Sequence, residues 1–76
     1  MRSLHYPAAM LQDDIESAIT FPEVDVLREG AFSVLCRIRG REVWIPRAQA
    51  MRTPAIGQRG ALVIPRSLAR EKGLIA

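Results

Sequence analysis

The stretch that decides the fold runs from Phe32 to Pro46 and reads FSVLCRIRGREVWIP. Apolar and polar side chains alternate on both sides of Gly40, which is typical of two half-buried strands joined by a tight turn. The apolar set falls on one face and comprises Phe32, Val34, Cys36, Ile38, Val43 and Ile45. The pattern predicts a β-hairpin, and we expect Phe32, Val34 and Ile45 to be buried.

Two registers of this hairpin satisfy the pattern. With Arg39-Gly40 as a two-residue loop, Arg37 lies opposite Glu42; with Gly40-Arg41 as the loop, Arg37 lies opposite Trp44. The faces are the same in both, because the pairing shifts by an even number of residues. The sequence leaves this choice open.

A further strand is predicted upstream, from Ala18 onwards. Pro22 interrupts its alternating apolar residues, and because proline cannot donate to a central ladder, we predict an edge strand. Residues 1–14 have no clear period, so we expect them to be less well ordered than residues 31–46.

Downstream of the hairpin, residues 47–59 are interpreted as a short helical turn and a connecting loop. A last strand, Ala61 to Ile64, leads into a helix of about eight residues that Pro65 opens. Gly73 is placed just beyond the C-cap, where it allows Leu74 to fold back onto the helix. The predicted fold is therefore α+β and mainly β. It is a curved three- or four-stranded antiparallel sheet, or a small barrel, with a short C-terminal helix.

Composition sets the class of protein. A chain of 76 residues with 49% apolar residues indicates one domain with one core. Cys36 is the only cysteine, so no intrachain disulfide can form, and a lone thiol is typical of the cytoplasm. We identify no secretory signal and no run approaching the ~18 apolar residues of a membrane span. Small folds without disulfides or bound metals often form oligomers, so a homodimer is one expectation.

Charge is divided unevenly along the chain. Residues 1–29 carry a net charge of −4 and residues 30–76 carry +7, and ten of the eleven basic residues are arginine. One interpretation is an anionic partner for the basic half. The other is that the acidic half complements the basic half within the folded chain.

The residues give no support to catalysis. The chain has one histidine and one cysteine, so neither a Ser-His-Asp set nor a cysteine nucleophile with its base is indicated. Cys36 belongs to the apolar face of the hairpin and is interpreted as an inert buried thiol. The cluster Asp13, Asp14 and Glu16 is read as a solvated face rather than a metal site. We therefore predict no enzyme activity, no cofactor and no metal.

The basic half supplies the one candidate binding site. Its candidate nucleic-acid-binding residues are Arg37, Arg39, Arg41, Trp44, Arg47, Arg66 and Arg70. An exposed aromatic among arginines would act as a stacking platform for bases. The alternative, which we favour, is that the C-terminal helix covers Trp44 and makes it part of the core.

Two stretches resemble known families. The segment from Gly60 to Leu68, GALVIPRSL, with Gly73-Leu74 after it, resembles the AbrB-type swapped-hairpin motif. That resemblance implies a dimeric bacterial DNA-binding regulator, with Arg66 in the basic position of the motif.

The second resemblance covers residues 31–74. The segments VWIPRAQ at 43–49 and IPRSLA at 64–69, with Lys72-Gly73-Leu74, are similar to a group of small, uncharacterised bacterial and phage-borne proteins. Here Ala48 replaces a serine and Ser67 a tryptophan of that pattern. The resemblance implies an arrangement of strands with a terminal helix, and no activity.

Two functions follow as hypotheses. The first is a protein-interaction or accessory module, encoded by a mobile element, whose partner the sequence does not identify. The alternative is a small nucleic-acid-binding regulator that uses the arginine-rich half.

Overall fold

The computed structural model describes residues 17–76, which form one antiparallel sheet and a short helix. The strands are β1 (Ala18–Glu29), β2 (Ser33–Ile38), β3 (Arg41–Pro46) and β4 (Arg59–Pro65), and the helix is α1 (Arg66–Glu71). A single 3₁₀ turn, Arg47–Gln49, follows β3. The spatial order is β3-β2-β1-β4. The α+β, mainly β prediction is confirmed, with four strands; the sheet does not close, so the barrel alternative is wrong. The prediction for residues 1–14 lies outside the described residues.

The β2–β3 hairpin has the first of the two predicted registers. Arg37 lies opposite Glu42, and Arg39-Gly40 is the loop. Both loop residues have positive φ, 53° at Arg39 and 81° at Gly40, as a type I′ turn requires. Such a turn matches the right-handed twist of the strands that it joins, and this accounts for the preference over Gly40-Arg41.

The core lies on one side of the sheet, which we call the inner face. Its buried residues are Phe21, Val24, Val26, Val34, Cys36, Ile38, Ile45, Leu62 and Ile64, joined by Leu68, Ala69 and Leu74 from the C-terminal segment. Among the described residues no polar or charged side chain is buried. The opposite side of the sheet is called the outer face.

The prediction that the strand containing Pro22 lies at an edge is wrong. β1 is a central strand of the sheet and pairs with both β2 and β4. The β1–β4 register shifts between Phe21 and Val24, which places Pro22 in a β-bulge, and pairing with β2 begins only at Asp25. The missing N–H of Pro22 therefore falls in a gap of both ladders, where proline is tolerated.

β1 contains a second bulge, between Val26 and Arg28. A bulge adds one residue to one strand of a pair, bends that strand and increases its twist. The first bulge explains how Phe21 and Val24 both point inward although they are three residues apart, since the extra residue restores the alternation. The two bulges together curve the sheet around its core.

The prediction that Phe32 is buried is wrong, whereas Val34 and Ile45 are buried as predicted. Phe32 is 84% exposed because it precedes β2 and belongs to the turn that leaves β1. Its carbonyl oxygen accepts a hydrogen bond from the Arg47 N–H at 2.8 Å. The alternating pattern of the sequence continues one residue beyond the end of the strand.

The C-terminal helix ends as predicted, although it has six residues rather than eight. Pro65 takes the N-cap position, one residue before the predicted helical turn. At the other end the Gly73 N–H donates to Arg70 O at 3.0 Å and the Leu74 N–H donates to Ala69 O at 2.8 Å. These two bonds form a complete Schellman motif, which places the Leu74 side chain in the core.

Candidate interaction surface on the outer face

A row of charged side chains crosses the outer face of the sheet, one from each strand. Glu42 lies opposite Arg37, Arg37 opposite Asp25, and Asp25 opposite Arg59. Residues directly opposite each other share a face, so the four side chains form a line of alternating sign. We call this set the charged row.

Hydrogen bonds join the members of the charged row in pairs. Arg59 binds Asp25 through both carboxylate oxygens, at 2.9 Å from Nε and 3.0 Å from Nη2. Arg37 Nη2 lies 3.3 Å from Glu42 Oε2. The hydrogen bond from Arg59 lowers the pKa of Asp25, burial opposes it by raising that pKa, and the charges of Arg59 and Arg37 lower it further. Asp25 therefore keeps its negative charge at a lower pH than an aspartate without these partners.

Trp44 lies on the outer face beside the charged row, and the expectation that it belongs to the core is wrong. Trp44 is 44% exposed. It lies opposite Leu35 and packs against the turn after β1, where a Cβ on Gly30 would come within 3.4 Å of Trp44 Cζ3. The helix that was expected to cover Trp44 packs on the inner face instead, because Leu68 and Ala69 join the core.

The six candidate arginines do not share one face. Arg37 is on the outer face. Arg41 lies opposite Ile38, a core residue, so the Cα–Cβ bond of Arg41 is directed to the inner face. Arg41 Nη1 donates to Gly73 O at 2.7 Å. The guanidinium of Arg39 stacks 5.2 Å from the ring centroid of Phe21, which is also an inner-face residue.

The remaining candidates lie just after β3 and on the helix. Arg47 donates to Gly30 O at 3.2 Å and lies 3.1 Å from a Glu29 carboxylate oxygen. Arg70 Nε donates to Ala76 O at 3.4 Å, and Arg66 is exposed at the start of α1. Most of these side chains are therefore engaged with their own chain.

Within residues 17–76, two ion pairs connect the acidic half of the chain with the basic half. They are Asp25 with Arg59 and Glu29 with Arg47. This agrees with the interpretation that the two halves complement each other within the folded chain. Sequence reasoning missed Arg59 as a partner of Asp25, because residues 34 apart are brought together only by the β1–β4 register.

Cys36 is fully buried on the inner face, as predicted. Burial raises the pKa of its thiol to about 11, which removes the thiolate that nucleophilic chemistry needs. Within residues 17–76 there is no group of three side chains suited to hold a metal ion. In the same part of the chain, no helix has both the length and the apolar character needed to cross a membrane.

Comparisons with protein-family models, curated proteins and solved structures found no match to this chain. The two family resemblances of its segments therefore stay predictions.

Proposed function

We propose that this chain is a non-enzymatic protein-interaction module and that its contact surface is the outer face around Trp44. The observation that carries this proposal is the 44% exposure of the only tryptophan, on the sheet face opposite the core. Tryptophan is enriched among the residues that dominate binding energy at protein interfaces.

The charged row gives this surface its selectivity. Alternating charges beside an apolar anchor favour a partner with the complementary order of signs and reject one with like charges opposite. Arg37 and Glu42 come from the same two strands as Leu35 and Trp44. The apolar anchor and the charged row therefore lie within one contact area.

An accessory role of the kind found in mobile elements agrees with the resemblance to small phage-borne proteins. The lone cysteine supports a cytoplasmic location.

The placement of the arginines supports a nucleic-acid partner less well than a protein partner. Arg37 and Arg41 start from opposite faces, and Arg41, Arg47 and Arg70 donate to carbonyl groups of their own chain. Phosphate groups would have to compete for these donors. A nucleic-acid module would be retained on DNA or RNA at low salt, with affinity falling steeply as salt rises. We expect no such retention.

A photo-crosslinking amino acid in place of Trp44 tests the proposed contact surface. We expect a discrete adduct in cells of the native host, identified by mass spectrometry and reduced by an excess of the unmodified chain. The matched control carries the cross-linker at Glu71, an exposed position on α1. Equal adducts from both positions, or none from position 44, would contradict the proposal.

A further inference from the structure

β3 has a neighbouring strand on one side only among the described residues. In a two-residue hairpin the closing pair, here Ile38 and Arg41, is hydrogen-bonded, and the following pairs alternate. Arg41, Val43 and Ile45 therefore direct their backbone N–H and C=O groups towards β2. The bond from the Arg47 N–H to Phe32 O continues this series of odd-numbered residues. It follows that the backbone N–H and C=O groups of Glu42 and Trp44 point away from β2, towards the open edge.

The other edge of the sheet differs, because the chain itself covers part of it. Arg52 forms an isolated bridge with Val63 of β4, and the bond from the Val63 N–H to Arg52 O is 2.9 Å long. Of the two edges, β3 is therefore the one that has no bridge to another segment within residues 17–76. Edges of this kind are templates for pairing with another chain.

We propose that β3 of a second copy of this chain pairs antiparallel with this edge, with Trp44 opposite Trp44 of the second copy. This inference rests on the proposed function, since it names a partner that would contact Trp44. The two sheets would join into one sheet with eight strands. The two exposed indoles would then lie side by side on the common outer face, as a cross-strand aromatic pair.

The charge of Glu42 favours this register over its neighbours. Pairing centred on Trp44 places Glu42 opposite Pro46 of the second copy, so the two glutamates are about 13 Å apart at ~3.3 Å per residue. Pairing centred on Glu42 would set the two carboxylates directly opposite each other, which is destabilising. Pairing centred on Val43 would set each carboxylate opposite an indole and would separate the two tryptophans.

The shortness of the edge favours a second copy over a flexible peptide. Only Glu42 and Trp44 offer both backbone groups, because the Arg39-Gly40 loop closes one end and Pro46 lacks an N–H at the other. A flexible peptide would have to lose its chain entropy for very few hydrogen bonds. A second copy brings a strand that its own hairpin already holds, and two-fold symmetry makes every contact twice.

Two substitutions at one position test the pairing. Glu42→Ala removes the side chain and keeps the N–H, whereas Glu42→Pro also removes the N–H that points to the open edge. Proline is tolerated at an edge position of this kind, so the hairpin itself should form. By symmetry two intermolecular hydrogen bonds are lost, and we expect the dimer of Glu42→Pro to be at least about tenfold weaker than that of Glu42→Ala.

Sedimentation velocity of the purified full chain over a range of concentrations measures these dimers. Because Trp44 is the only tryptophan, its emission should move to shorter wavelength in step with dimer formation. This second measurement needs no variant and applies even if Glu42→Pro does not fold. A monomer up to about 1 mM, the weak end of specific affinities, would overturn the inference. So would equal dimerisation of the two variants, or a dimer that leaves the emission unchanged.

Failure here is distinguishable from failure of the proposed function. If the purified chain is monomeric while position 44 still cross-links to a different protein, only the second-copy inference is wrong. If position 44 gives no adduct at all and the chain is monomeric, both are wrong.

Discussion

Replacing Gly73 by alanine should destabilise the fold, although there is room for the added methyl group. Gly73 has a φ of 73°, in the left-handed region, and its position in the Schellman motif fixes this value. A Cβ there would lie 3.5 Å and 3.6 Å from the two terminal nitrogens of Arg41, which is ordinary contact. The cost therefore comes from the backbone and not from a clash.

The expected size of this effect is about 1–2 kcal/mol, the cost of holding an L-residue in the left-handed conformation. For a domain of this size, each kcal/mol lowers the melting temperature by roughly 4–8 °C. D-Alanine at the same position adopts positive φ without this cost. It also restricts the unfolded chain, so it should leave stability equal to that of glycine or raise it by about 0.4–1 kcal/mol.

Semisynthesis with a synthetic C-terminal peptide gives both variants, and urea unfolding measures them. Ser67→Ala, at an exposed position of α1, is the matched control and should change stability by less than about 0.5 kcal/mol. If the L-alanine and D-alanine chains unfold at the same urea concentration, the backbone argument is wrong. If D-alanine is the less stable of the two, the assigned hand of the turn is wrong as well.

Three further outcomes follow from the core and the charged row. Val34→Ala and Ile45→Ala should each cost about 2–4 kcal/mol in urea unfolding, and an unchanged midpoint would contradict the assigned inner face. Cys36 should react with a thiol reagent at pH 8 only as fast as the fold opens, and at once in urea, because burial raises the pKa of its thiol to about 11. The pKa of Asp25 is lowered in the folded state, so its contribution to stability is present above its unfolded pKa of ~3.9 and is lost as pH falls through the folded value. Asp25→Asn should therefore flatten the loss of stability in acid, and an unchanged acid limb in urea unfolding would contradict this role of Asp25.

The sequence predicted the elements whose signals are local. Gly40 at a loop between alternating strands, and Gly73 after a short helix, each mark a turn through φ values that glycine adopts easily. The alternation also identified Val34, Cys36 and Ile45 as core residues. Each of these inferences needs only residues within a few positions of one another.

The errors arose where long-range pairing decides the structure. Pro22 was expected at an edge because its sequence neighbours do not reveal the bulge that accommodates it. Trp44 was expected in the core because the C-terminal helix was expected to cover it. The helix covers the other face, because Leu68 and Ala69 pack against the strands there. The pairing of Asp25 with Arg59 follows only from the register of β1 and β4. Sequence pattern fixes which side chains share a face, and tertiary contacts decide which face is covered.

The bulge at Pro22 and Glu23 also bears on how this protein can change in length. In a regular strand, gaining or losing one residue turns every later side chain to the other side of the sheet. Here the extra residue is already taken up within the bulge, and Phe21 and Val24 both point inward. Loss of Glu23 would leave those two residues at the two-residue spacing of an unbroken strand. Such a loss would keep the strand that follows in its present orientation, but it would also remove the bulge that accommodates Pro22.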